Sequence, residues 1–111
     1  MPYNQSLAQR IRTALGERPG LIEKKMFGGV GFMLRGNMAC GVQGDDLIVR
    51  VGADQDEAVL SQPHVRPFMV TAGKPMKGWV FVAPKGCETD LELKHWVEQG
   101  CAYALTLPKK E

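Results

Sequence analysis

The run Lys25-Met26-Phe27-Gly28-Gly29-Val30-Gly31-Phe32 constrains this chain more than any other segment, because it leads directly into two turn signals and a short β-branched strand. Glycines at that density between residues that read as strand suit a bulge or a tight strand corner, where a Cβ has little room. A phosphate cradle of backbone amides would instead need a strand that opens a helix. Here the residues that follow read as strand, and neither a dinucleotide fingerprint nor a Walker A pattern is present. Gly28, Gly29 and Gly31 are therefore read as structural glycines.

Downstream, Gly36-Asn37 separates Phe32 to Arg35 from Met38 to Val42 as a two-residue hairpin would. Gly44-Asp45 repeats the signal before Leu47 to Val51. In that strand Leu47, Val49 and Val51 share one face, and Asp46, Ile48 and Arg50 the other. Ahead of this meander, Ser6 with Gln9 fits a capping box, and Leu7, Ala8, Ile11, Ala14 and Leu15 recur at helical spacing until Gly16, Pro19 and Gly20 break it. Asp54 with Glu57 starts a short middle helix that ends before Pro63. Residues 61–78, punctuated by Pro63, Pro67, Gly73, Pro75 and Gly78, read mainly as irregular structure with one short edge strand near Phe68.

Trp79 to Val82 form a compact strand ended by Pro84. Thr89 with Glu92 caps a closing helix whose core face is Leu93, Trp96, Val97, Cys101, Ala104 and Leu105, and Pro108 stops it. The expected fold is α+β, an antiparallel β-meander sheet with N-terminal and C-terminal amphipathic helices packed on it and a short middle helix. At 111 residues the chain holds enough apolar material for a single core, so residues 1–111 are read as one domain.

The chemistry is sparse. Fourteen basic against twelve acidic residues leave a formal charge of +2, too small to demand a polyanionic partner. The local pattern is more informative: from Val59 to Cys87 there is no Asp or Glu, while Arg66, Lys74, Lys77 and Lys85 all fall there. With Met76 between two lysines, Arg66, Lys74, Met76, Lys77 and Lys85 form the candidate interaction patch. Trp79 and Phe68 are available for stacking, but the Trp79 to Val82 run is too apolar to favour that use. Met69 and Met76 are expected to be exposed, and Met26, Met33 and Met38 to lie in the core.

Cys40, Cys87 and Cys101 form no Cys-x-x-Cys pair, so neither a zinc site nor a disulfide framework is suggested. Cys40 and Cys101 fall on apolar faces and read as small hydrophobes. Cys87, in the turn Lys85-Gly86-Cys87, is the one thiol expected to be reactive, because a nearby cation favours thiolate. His64 and His95 stand apart from any ligand or acid–base partner motif and read as structural. The expectations are no catalytic residue, no cofactor and no metal. The N-terminus lacks the basic and apolar regions of a signal peptide and no apolar run reaches membrane-spanning length, so a cytoplasmic protein without membrane contact is expected.

The order of features, from Lys25-Met26-Phe27-Gly28-Gly29-Val30-Gly31-Phe32 through Leu47-Ile48-Val49-Arg50-Val51 and Lys74-Pro75-Met76-Lys77-Gly78-Trp79 to the closing helix, resembles the N-terminal domain of TfoX/Sxy competence regulators over about Leu7 to Leu107. The resemblance implies a non-enzymatic regulatory domain that works with protein partners, such as the cyclic-AMP receptor protein or other transcription machinery, in control of DNA-uptake genes. It also implies a tendency to homodimerise. Two-domain members continue into a helical C-terminal domain, and this sequence ends at Glu111, so a single-domain member is expected. Direct nucleic-acid binding through the Val59 to Cys87 segment is the alternative.

Overall fold

Asn4, rather than Ser6, starts the first helix. In the computed structural model, residues 3–26, 29–71 and 74–108 are described, with the backbone alone for 26, 69–71 and 74–76. Helix α1 spans Gln5–Leu15, and the Asn4 side chain accepts a hydrogen bond from the Leu7 amide at 2.9 Å. Asn4 gains the cap because its own amide is fixed by the Gly44 carbonyl at 2.7 Å, a tertiary tie that Ser6 lacks. Leu7, Ala8, Ile11 and Leu15 are the face it buries.

Six strands follow among the described residues: β1 (Leu21–Met26), β2 (Gly29–Leu34), β3 (Asn37–Gln43), β4 (Asp46–Arg50), β5 (Val65–Thr71) and β6 (Lys74–Val82). They form one antiparallel sheet in the order β1-β2-β3-β4-β6-β5. The α+β class and the meander are as expected. Two hairpin details differ. Arg35 and Gly36, at φ 54° and 83°, make the turn between β2 and β3, and Asn37 is the first residue of β3. A two-residue turn of this kind needs positive φ at both positions. Asn37 escapes that role because it is drawn inward, where its side chain donates to the Pro108 carbonyl at 2.9 Å.

The larger correction concerns residues 61–78, where the described residues form two paired strands, β5 and β6, rather than mainly irregular structure. Pro67 is tolerated because β5 is an edge strand. Pro75 is tolerated because the β4–β6 ladder begins only at Arg50 and Trp79, leaving that part of β6 with a neighbour on one side. Between the two regions Gly78, at φ 91°, accepts hydrogen bonds from the amides of Val51 and Gly52. A bulge at this point lets β6 leave β4 and continue with β5 alone.

Helix α2 spans Asp56–Leu60 and has no side-chain cap, so the expected Asp54 cap is not formed. Asp56 is instead recruited by tertiary structure and accepts from the Gly78 amide at 2.8 Å. A 3₁₀ turn over Pro84–Cys87 leads to α3 (Asp90–Thr106), where Thr89 and Glu92 form the expected reciprocal capping box. Leu93, Trp96, Val97, Cys101 and Ala104 are buried on the sheet, but Leu105 is 47% exposed and lies off that face. Gly100 allows the contact with β3: a Cβ there would stand 2.3 Å from the Ala39 carbonyl oxygen. Leu34, Val42, Leu47, Val49, Val80 and Val82 complete a core on the helix side.

Candidate interaction surface

Strand register assigns the sheet two unlike faces. Val30 opposite Val42, Phe32 opposite Cys40, and Val49 opposite Val80 all point to the helices and are fully buried. The alternate pairs, Met33 with Met38, Gly31 with Gly41, Ile48 with Phe81, and Arg50 with Trp79, lie on the other face. Ile48 and Phe68 are buried, yet they stand outside the main core cluster. They belong to a second, smaller cluster on this helix-free face.

That cluster is aromatic and topped by arginines. Phe68 packs against Phe81 at 4.9 Å and Trp79 at 6.0 Å between ring centroids. The Arg66 guanidinium lies 4.7 Å from the Phe81 ring centre and is paired with Asp46. The Arg50 guanidinium lies 4.9 Å from the Trp79 ring and 5.5 Å from the Tyr103 ring of α3. Such contacts fix a guanidinium in place while leaving its N–H edge to meet another group. Met33 and Met38 are half-buried on this face, not in the core as expected, and Met38 lies across Gly41 within 2.8 Å of the position a Cβ would take. Ile22, on the edge strand β1, is 61% exposed.

Of the five residues of the sequence-derived patch, the side chains of Arg66, Lys77 and Lys85 are described. Arg66 belongs to the helix-free face. Lys77 is exposed near the start of β6 and Lys85 is exposed in the 3₁₀ turn beyond its end. The strand from Lys77 to Val82 alone spans roughly 17 Å. For Lys74 and Met76 only the backbone is described, in β6, and the Met26 and Met69 side chains likewise lie outside the described residues. Sequence reasoning missed Arg50, Ile48 and Tyr103. The alternation that set Ile48 and Arg50 opposite Leu47 and Val49 was the available signal.

Gly28 lies outside the described residues. Gly29 is structural in the strict sense, since a Cβ there would stand 2.0 Å from the Val42 carbonyl oxygen. Gly31 sits in β2 directly across from Gly41. The register shift in this region falls between Phe32 and Met33, not at the glycines.

Cys87 overturns its expectation. It is buried, its Sγ reaches the Ala83 carbonyl at 3.8 Å, and burial pushes its thiol pKa up despite the opposing pull of Arg10. Burial raises Cys40 and Cys101 in the same direction. His64 and His95 are both exposed, and His95 sits edge-on to Trp96 at 5.9 Å. No group of three or more metal-ligating side chains occurs among the described residues. Nor, among them, is any helix long and apolar enough to cross a membrane.

The sequence model of one protein family, the TfoX N-terminal domain, matches residues 13–104, from within α1 to the last turn of α3. This chain belongs to that family. No curated protein and no solved structure matches it. The family is associated with competence regulation. In this TfoX N-terminal domain the matched stretch contains the whole sheet and all the residues of the helix-free face.

Proposed function

We propose that this TfoX N-terminal domain is a non-enzymatic regulatory domain that binds a protein partner in transcriptional control, with DNA-uptake genes as the regulated set. The observation that carries the reading is the helix-free face, where aromatic and aliphatic side chains meet ordered arginines. Arginine and aromatic residues are the types that dominate protein interfaces. The three thiols support a non-catalytic role, because a buried thiol held above its ordinary pKa is a poor nucleophile.

Transcripts of DNA-uptake genes, compared between cells lacking and cells expressing the chain, test this reading. Levels are expected to change on deletion, to return with the natural chain, and not to return with a Trp79→Asp variant of the open face. Unchanged transcripts in the deletion remove the regulatory role. Thiol titration gives an independent check: slow reaction of all three cysteines in the folded chain and rapid reaction in denaturant are expected. Fast, selective alkylation of folded Cys87 would reopen a catalytic role.

A further inference from the structure

Arg50 is a half-buried cation held in place without a counter-ion among the described residues. Arg10, Arg12, Arg18 and Arg66 each meet a carboxylate. Among the described residues Arg50 meets none, and its guanidinium is held instead by the rings of Trp79 and Tyr103. A guanidinium oriented beforehand loses little freedom on receiving a carboxylate, and its fork of N–H donors suits two-point contact. Beside it run Ile48, Met33 and Met38, and then the exposed Ile22 and Lys24 on β1. Thioethers of this kind repack readily around varied apolar side chains.

We propose that the helix-free face docks an acidic, apolar segment of a protein partner, with a carboxylate on Arg50 and neighbouring aliphatic side chains over Met33, Met38 and Ile22. This rests on the reading of the chain as a protein-binding regulatory domain, and it names the chemistry of the partner. Charge complementarity selects the occupant. Lys24, Arg50 and Arg66 share the face with Asp46, which already neutralises Arg66. A second copy would bring two faces of the same sign together, a juxtaposition that opposes association. A nucleic acid needs free ring faces for its bases and many cations for its phosphates. Here a guanidinium already lies over both Trp79 and Phe81, and the chain carries only +2 overall.

The test uses a fluorescein-labelled synthetic peptide of alternating Asp and Leu, titrated into the full chain at low and high salt. A matched Lys–Leu peptide and a single-stranded oligothymidylate serve as comparators. The Asp–Leu peptide is expected to bind alone of the three, more weakly at high salt, and to lose about tenfold in affinity in Arg50→Ala, a charge-assisted contact being at stake. Arg50→Lys should retain part of that affinity, because it keeps the charge but not the fork. Ile22→Asp changes a side chain already in solvent, so it should fold normally and still weaken capture. Affinity unchanged in both Arg50→Ala and Ile22→Asp overturns the proposal, as does no capture of the Asp–Leu peptide or tighter capture of the oligothymidylate. If the peptide fails while deletion still alters uptake-gene transcripts, the acidic segment is wrong and the regulatory reading stands. If the transcripts do not change, the regulatory reading itself falls.

Discussion

The two faces of one sheet differ in what holds them together. On the covered face, side chains such as Leu47, Val49, Val80 and Val82 are fully buried in the main core, and Gly100 lets α3 close onto β3. On the helix-free face, Ile48 and Phe68 are buried mainly by their own neighbours, and the largest rings are roofed by arginine side chains. The covered face is stabilised by removing apolar surface from water. The open face keeps apolar surface within reach of water and screens it with long cationic side chains, whose stems cover hydrocarbon while their heads stay solvated. The proposed docking of a partner would use this screened apolar surface.

The contrast is broken most severely at the glycines of closest approach. Gly29→Val and Gly100→Val each force a branched side chain against a backbone carbonyl, and each is expected to cost about 4 kcal/mol, read as a drop in the denaturation midpoint. Tolerance of Gly100→Val would show that α3 does not sit tightly on β3. Adjacent residues of β4 sharpen the comparison. Leu47→Ala, on the covered face, should cost about 3 kcal/mol, because the cavity is enclosed. Ile48→Ala, on the open face, should cost about 1.5 kcal/mol, because methionine side chains and solvent can fill the gap. Equal losses would mean that the open face is a second core.

The smallest effect is electrostatic and lies at the rim of the covered face. Arg18 donates to Glu98 at 2.8 Å and Arg12 to Glu23 at 2.7 Å, and these hydrogen bonds hold both carboxyl groups below their ordinary pKa. A carboxyl whose pKa is lowered by folding stabilises the folded chain above the unfolded value, near about 4.3 for Glu. That stabilisation is lost as the pH falls through the folded pKa. Both pairs are partly exposed, so Glu98→Gln should cost about 0.5 kcal/mol at neutral pH, with the difference from the natural chain vanishing in acid. A difference that persists at low pH would show that Glu98 contributes by packing rather than by charge.

Much of the covered face was legible in the sequence. Helical spacing picked out Leu7, Ile11, Leu93, Trp96 and Val97, and alternation picked out Leu47, Val49 and Val51, all of which are buried. The Thr89 and Glu92 box was legible because capping is local. The basic hairpin was not, because its prolines and glycines carry turn signals that only the place of each strand in the sheet overrides. The spacing of Lys77 and Lys85 was hidden for a geometric reason: residues close in sequence along an extended strand are far apart in space. Arg50 was hidden because its importance comes from rings that arrive from β6 and α3.

By itself the sequence determined the α+β class, the two long helices, the meander of β2, β3 and β4, much of the main core and the kinship with the TfoX N-terminal domain, since periodicity, capping and turn chemistry act over a few neighbouring residues. Only the tertiary structure decided that β6 lies between β4 and β5, that Cys87 is buried, that Asn4 rather than Ser6 caps α1, and that Arg50 stands between Trp79 and Tyr103. Each of these depends on partners tens of residues away, and such contacts exist only once the chain has closed on itself.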